Sequence, residues 1–222
     1  MSTETLEKVV EKKPAEALLS KRRKKFLADP LNDDNPITIQ VLGICSALAV
    51  TTQLKPTLTM AISVIFVMVF SNLIISLMRN YVPTRVRIIV QLAVIATLVT
   101  LVSEILKAYQ YDVYKQLSVF VGLIITNCII MGRLEAFALG NKPWDSILDA
   151  LGNGMGYGWI ILTIAFFREL LGSGKIFGFA FFEQIGWASF PTNGLMVSPV
   201  GAFIILGLII WVQRARSGYI EN

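Results

Sequence analysis

The sequence predicts an all-α, polytopic membrane protein with six transmembrane segments, arranged as two inverted three-span repeats that each begin with a short, cysteine-bearing half-helix. Three observations lead to this prediction. The composition is 55% hydrophobic and only 16% charged, whereas a soluble domain contains about a quarter charged residues. The apolar residues fall into six separate runs. The same markers then recur in each half of the chain, with one cysteine per half.

The N-terminal region, residues 1–36, is predicted to be a basic cytoplasmic tail. It contains the run KRRKK at 21–25 but no apolar core and no small-residue cleavage site, so it does not resemble a cleavable signal peptide. Basic residues near a first span are typical of the cytoplasmic side, and contact with lipid headgroups is a second interpretation. The net charge of +5 does not indicate a nucleic-acid partner, because the basic residues lie in this tail and in connecting loops.

The six apolar runs differ in length. A helix needs roughly 20 residues to cross a hydrocarbon core of about 30 Å. The first and fourth runs are too short to be straight spans, so we predict half-helices there, whereas the third can be extended at both ends. The runs lie at about 37–50, 58–78, 88–102, 117–131, 147–167 and 195–212.

Arginines between the runs predict the topology. Arg79, Arg85 and Arg87 separate the second and third runs, and Arg214 and Arg216 follow the sixth. Because basic residues favour the cytoplasmic side, we expect both termini in the cytoplasm. Three crossings per half is an odd number, so the second unit must insert upside down relative to the first. The predicted units are the tail 1–36, the repeats 37–107 and 108–214, and a cytoplasmic C-terminal tail 215–222.

The duplication is visible as a series of markers rather than as repeated sequence. Each half continues from its cysteine through a Lys-Pro pair, at 55–56 and 142–143, and then through a long apolar run that ends at Arg79 or Arg168. Inverted-repeat membrane proteins build their sites from discontinuous helices near the bilayer midplane. We therefore expect the functional site where the two short runs meet.

Cys45 and Cys128 are the candidate site residues. They are the only cysteines, and the chain has no histidine. Neighbours such as Ser46 and Asn127 are small or polar, so that they allow close approach and could hydrogen-bond a sulfur. A soft metal would stabilise two thiolates in an apolar interior, and four thiolates are a common ligand set for iron centres. From the residues alone, three interpretations stay open. The cysteines bind a metal whose ligand set is completed by another chain, they form a disulfide, or they pack as small hydrophobic residues.

Other features have simpler interpretations. Arg168 and Glu169, at the end of the fifth run, are predicted to extend to the membrane interface. Asp149 and Glu104 are secondary candidates for an ion or proton contact. Close helix packing rather than dinucleotide binding is predicted for four alternate glycines, Gly152, Gly154, Gly156 and Gly158.

Three segments show a likeness to a known family. The sequences QVLGICSALAVT at 40–51 and KQLSVFVGLIITNC at 115–128, with MGRLEA at 131–136, resemble the D-subunit family of sodium-translocating NADH:quinone reductases, the Nqr complexes. The likeness covers essentially the whole membrane domain. In the homologous subunit of Rnf complexes, a proline typically follows the first cysteine and another replaces Gly122. Ser46 and Gly122 therefore favour the Nqr branch.

The resemblance implies a function. In that family, the D and E subunits are paired six-span proteins of opposite orientation, and two cysteines from each hold an iron centre, either a single iron or a [2Fe–2S] cluster, within the membrane. By similarity, Cys45 and Cys128 would be the iron ligands of this chain, in a complex of the bacterial inner membrane that moves Na⁺ outward. NADH, flavins and quinone would bind to other subunits, so no catalytic residue is expected here. The alternatives are a subunit of an Rnf-type ferredoxin:NAD oxidoreductase, a secondary ion transporter, and a structural assembly subunit with inert cysteines.

Overall fold

The computed structural model describes residues 29–30, 35–83, 85–109, 122–173, 175–176, 179–180 and 194–217. Within them the chain is almost entirely helical, as predicted, and the only strands are two of two residues each, β1 (Lys175–Ile176) and β2 (Phe179–Ala180), which pair antiparallel. The helices with both ends in the described residues are α1 (Ile44–Val50), α2 (Leu54–Met78), α3 (Arg87–Tyr109), α4 (Cys128–Arg133), a π-helix (Leu134–Ala138), α5 (Pro143–Ser173), α6 (Gly194–Val197) and α7 (Pro199–Ser217). Residues 29–30 and 122–125 are also helical.

Three of these helices are long and apolar enough to cross a membrane. They are α2, α3 and residues Pro143–Gly172 of α5, and they correspond to the second, third and fifth predicted runs. A shorter apolar helix, Pro199–Ala215, corresponds to the sixth. The prediction of a multi-pass membrane protein is confirmed by these helices, and the count of six spans stays a prediction. Most of the predicted tail 1–36 lies outside the described residues.

Helices α2 and α5 pack closely against each other. Gly158 faces Ala61, whereas Gly154 faces Ile65 and Met68, so the two helices run antiparallel. Glycine leaves room for a neighbouring helix to approach because it has no side chain. The packing role is therefore confirmed for Gly154 and Gly158, whereas Gly156 faces Pro30 and Asn35 instead of another long helix. The helix pair forms the scaffold on which the shorter helices lie.

The two short apolar runs do not form continuous helices. Of the first run, only Ile44–Val50 is helical, and residues 35–43 form turns. In the fourth run, residues 122–125 are helical, the helix breaks at Thr126 and Asn127, and α4 begins at Cys128; residues 117–121 lie outside the described part. Both cysteines therefore lie at the start of a short helix, next to non-helical backbone.

Candidate metal centre

The two cysteine sulfurs lie close together. Cys45 Sγ and Cys128 Sγ are 3.9 Å apart although the residues are 83 positions apart in the sequence. Both thiols are free, and both side chains are exposed on the surface of this chain. The expected convergence of the two short runs is thus observed, and it produces a pair of thiols that a second molecule can reach.

A tight turn before α1 exposes Cys45. Gly43, the residue that precedes α1, has a φ of 79°, a left-handed conformation that glycine adopts at little cost. Val41 also has a positive φ, 58°, which is unusual for a β-branched residue. Two left-handed residues within three positions turn the chain sharply, and α1 then begins with Cys45 as its second residue.

Cys128 is positioned by a helix cap. The side-chain oxygen of Asn127 accepts a hydrogen bond from the backbone N–H of Ile129 at 3.3 Å, which satisfies one of the N–H groups left unpaired at a helix start. Asn127 and Ile129 are fully buried, whereas the intervening Cys128 is exposed. The cap therefore fixes the point at which the chain turns from the break into α4 and directs the thiol outward.

Asn35 holds the irregular segment before α1 in place. Its side-chain oxygen accepts from the backbone N–H of Ile37 at 3.0 Å and of Thr38 at 3.4 Å. Its amide nitrogen donates to the carbonyls of Pro30 at 3.2 Å and of Gly156 at 3.3 Å. Non-helical backbone inside a membrane needs such internal partners. One buried side chain thus supplies them and attaches the segment to α5.

Ser46 and Tyr157 stabilise the turn before Cys45 from the buried side. The Ser46 hydroxyl bonds to the Gly43 carbonyl at 2.8 Å and to the Tyr157 hydroxyl at 2.7 Å. The prediction that Ser46 hydrogen-bonds a sulfur is therefore wrong, since its only proton goes to the backbone. Tyr157 was not recognised in the sequence, because an apolar span gives no local sign that one of its tyrosines lies under a residue more than 100 positions away.

Arg168 is buried rather than extended to the interface. Only 1% of the residue is exposed, so the interface prediction is wrong. Its guanidinium donates to Leu48 O at 3.2 Å and to Thr51 Oγ1 at 2.6 Å, both at the C-terminal end of α1. Five donors in a planar fork suit several carbonyls at once. Further acceptors are the backbone carbonyls around α6, those of Met196, Val197 and Ser198.

The far end of α4 is fixed by an ion pair. Arg133 Nε donates to Asp149 Oδ2 at 2.9 Å, and a second, shorter contact joins the same two side chains. Asn153 donates to Asp149 Oδ1 at 3.2 Å. The Asp149 side chain is 3% exposed, and breaking a buried pair of this kind leaves an uncompensated charge. The secondary candidate Asp149 therefore fastens α4 to α5, while Glu104 lies exposed beside Lys107.

The distance between the two sulfurs is that expected for two of the four ligands of a tetrahedral thiolate site. With metal–sulfur bonds of about 2.3 Å, two sulfurs on one tetrahedral metal lie roughly 3.8 Å apart, close to the 3.9 Å observed. A disulfide needs about 2.05 Å. Within the described part of the chain no group of three or more His, Cys, Asp or Glu could hold a metal. This chain can therefore supply two sulfur ligands, and a four-sulfur site needs two from elsewhere.

These features define a multi-pass membrane protein in which two broken helices bring a pair of exposed thiols together. The chain belongs to the Rnf-Nqr family, since the family described as Rnf-Nqr subunit, membrane protein, matches residues 23–210. This confirms the resemblance found in the sequence.

Individual relatives are similar along nearly their whole length. The chain is 58% identical over 207 residues to the D subunit of the Na(+)-translocating NADH-quinone reductase of Pasteurella multocida, covering 91% of this chain and 99% of that protein. It is 54% identical over 198 residues to the protein of the same name from Photobacterium profundum, covering 88% and 93%. A third relative of that name, from Haemophilus ducreyi, is 56% identical over 194 residues, covering 86% and 93%.

Proposed function

We propose that this chain is the D-type electron-transfer subunit of a Na⁺-translocating NADH:quinone reductase. In this proposal Cys45 and Cys128 provide two thiolate ligands to an iron centre, a single iron or a [2Fe–2S] cluster, shared with a partner chain. The observation that supports it most directly is the 3.9 Å separation of two exposed sulfurs. The names of the relatives support the choice of complex.

The residues of this chain hold the two thiols at a fixed separation and leave them exposed to a neighbouring chain. The turn at Gly43 and the cap at Asn127 set where each sulfur lies, and Arg168 and Asp149 fasten the opposite ends of α1 and α4. When bound, iron would accept and release one electron at a time, which links redox centres on the two sides of the membrane. A rigid set of ligands suits this task because it keeps reorganisation small between oxidation states.

The missing ligands point to a partner with the same architecture. The chain has two cysteines and no histidine, so two further thiolates must come from another chain. A homologous six-span E-type subunit of opposite orientation would offer an equivalent sulfur pair across the exposed face of Cys45 and Cys128. The other partners in this proposal are the lipid bilayer of the bacterial inner membrane and the subunits that bind NADH, flavins and quinone.

The inverted-repeat arrangement is part of the proposal, and two arginines support it. Arg79, at the C-terminal end of α2, donates to the Asn141 carbonyl at 2.8 Å, just beyond the π-helix that continues α4. Arg168, near the C-terminal end of α5, donates to the Leu48 carbonyl at the end of α1. The long helix of each proposed repeat thus donates a hydrogen bond to the short-helix region of the other repeat. Two three-span units, 37–107 and 108–214, related by an axis in the membrane plane would produce such reciprocal contacts.

The proposal is tested by replacing each sulfur with oxygen in the assembled complex. Cys45→Ser and Cys128→Ser keep the size of the side chain but remove a soft thiolate ligand. We expect each variant to lose the iron of this centre and its electron paramagnetic resonance (EPR) signal, together with NADH-driven quinone reduction. Ala49→Ser is the matched control, because it places the same hydroxyl on α1 without removing a sulfur.

The outcomes separate the proposed function from its alternatives. Iron loss in both cysteine variants, with normal iron in Ala49→Ser, supports the shared centre. If both cysteine variants assemble with unchanged iron, EPR signal and quinone reduction, the thiols are packing residues and the chain is a transporter or an assembly subunit. Unchanged quinone reduction with lost iron would mean that the centre lies outside the electron path.

A further inference from the structure

Tyr157 lies directly beneath the turn that carries Cys45. It is 0% exposed and lies near the middle of the span Pro143–Gly172. A Cβ atom at Gly43 would be only 3.0 Å from Tyr157 Cε2. The ring therefore forms the surface against which the Gly43 turn packs, and any shift of the ring moves that turn.

The direction of the hydrogen bonds at Tyr157 follows from counting protons. Ser46 has a single hydroxyl proton, and it points to the Gly43 carbonyl at 2.8 Å. The 2.7 Å contact between the hydroxyls of Ser46 and Tyr157 must then use the tyrosine proton. The result is a chain in which Tyr157 donates to Ser46 and Ser46 donates to Gly43. This chain of hydrogen bonds holds the backbone on both sides of Cys45, because Gly43 precedes the cysteine and Ser46 follows it.

The same turn also contacts the segment that carries the second thiol. The side-chain oxygen of Asn127 lies 3.5 Å from the position of a Cβ at Gly43, and Asn127 caps α4 directly before Cys128. Tyr157 and Asn127 thus both lie next to Gly43, at the place where a side chain would project. A displacement of Tyr157 would therefore be transmitted to Cys45 and to the contact between the two cysteine segments.

We propose that Tyr157 is a positioning residue that sets the separation of the Cys45 and Cys128 sulfurs through its hydroxyl bond to Ser46. The proposal rests on the proposed iron site and adds to it a residue from a third helix, outside both cysteine segments. Tyr157 acts through Ser46 and Gly43 rather than as a ligand. Outer residues that orient metal ligands typically contribute about 10- to 100-fold to metal affinity.

The test uses the assembled complex with Tyr157→Phe, Ser46→Ala and the double variant. The phenylalanine keeps the ring that packs on Gly43 and removes only the hydroxyl. We expect a changed EPR line shape of the iron centre and a release of iron to a chelator that is roughly tenfold faster or more. Because both single variants break the same bond, the double variant should be no worse than the more severe single one.

Matched controls isolate this bond from general effects of the substitutions. Tyr81→Phe removes the hydroxyl of a tyrosine that is 87% exposed. Ser71→Ala removes a buried serine hydroxyl that donates to the Met68 carbonyl within α2. Both controls should keep the wild-type EPR line shape and rate of iron release. Ser46→Ala keeps the aromatic packing intact, so the proposal stays testable if Tyr157→Phe assembles poorly.

The outcomes also distinguish this proposal from the proposed function. If Cys45→Ser and Cys128→Ser lose iron but Tyr157→Phe and Ser46→Ala keep the wild-type EPR signal and iron release, Tyr157 is not a positioning residue. Additive effects in the double variant would equally overturn a shared hydrogen bond. If the cysteine variants themselves keep iron, the proposed function fails, whatever the Tyr157 variants do.

Discussion

At the scale of single residues, the position of the sulfur pair depends on a glycine. Gly43 combines a left-handed backbone with a φ of 79° and contact with a buried tyrosine ring. The left-handed conformation costs residues with a side chain roughly 1–2 kcal/mol, and a side chain here would also meet Tyr157. Both constraints act two positions before Cys45, so a change at Gly43 is transmitted to the thiol.

Gly43→Ala is therefore expected to damage the site. We predict a destabilisation of about 1–2 kcal/mol from the backbone alone, a lower thermal midpoint of the purified complex, and loss of iron relative to wild type. Gly207→Ala is the control, because no heavy atom lies within 4 Å of its added Cβ and alanine favours a helix over glycine. A Gly43→Ala complex with wild-type iron content and thermal midpoint would show that the turn tolerates a side chain.

Residues near the cysteines show what could and could not be predicted from the sequence. The two thiols were predictable because they are unique and lie in the two shortened apolar runs. The partners of Ser46 and Arg168 were not, since hydrogen bonds across 111 and 120 positions depend on tertiary packing that no local pattern encodes. A charged residue at a span end usually extends to water, and here the carbonyls of α1 and α6 hold it inside.

At the scale of elements, the long helices were easier to predict than the broken ones. Composition and length were enough to predict α2, α3 and α5, although each helix begins before its apolar run, at Leu54, Arg87 and Pro143. The irregular segment 35–43 was not foreseen in its details. Its conformation is stabilised by the four side-chain hydrogen bonds of Asn35, two of which reach outside the segment.

The packing of α2 against α5 predicts opposite tolerances at two glycines. A Cβ at Gly154 would lie 3.0 Å from Ile65 Cγ1 and 3.3 Å from Met68 Cε, whereas one at Gly158 would meet Ala61 Cβ at an ordinary 3.6 Å. Overpacking of a close contact typically costs about 1–3 kcal/mol. We expect Gly154→Ala to lower the thermal midpoint of the complex, and Gly158→Ala to leave it unchanged or raise it.

Each of these glycine variants is the control for the other, because the substitution, the helix and the facing helix are the same. Equal thermal midpoints for the two variants would mean that α2 moves aside easily at Gly154. A lower thermal midpoint for Gly158→Ala alone would contradict the packing described here.

At the scale of the whole molecule, the reciprocal arginine contacts tie the two proposed repeats into one unit. Arg168 reaches from α5 to the end of α1, and Arg79 reaches from the end of α2 to Asn141, just beyond the π-helix that continues α4. The sulfur pair is therefore held by both repeats together and not by either alone. This explains why a cysteine in each half, rather than two in one half, is compatible with a single site.

The proposed six-span arrangement predicts on which side of the membrane the chain ends and the connections between spans lie. Arg79 and Arg85 between α2 and α3, Arg87 at the start of α3, and Arg214 and Arg216 near the C-terminus favour the cytoplasm for both regions. We expect a fluorescent-protein fusion after residue 222 to fluoresce and an alkaline phosphatase fusion there to be inactive. A phosphatase fusion directly after Tyr109, where α3 ends, should be active because this point follows three predicted crossings from a cytoplasmic N-terminus.

A fusion between α2 and α3, after residue 82, is the matched control, since it lies one span earlier and should behave like the C-terminus. An active phosphatase at the C-terminus would mean an odd number of crossings between the N-terminal tail and residue 222. The second repeat could then not be an inverted copy of the first, and Cys45 and Cys128 would not approach the bilayer midplane from opposite sides. The reciprocal arginine contacts would in that case be a local feature of helix packing, without a symmetry axis behind them.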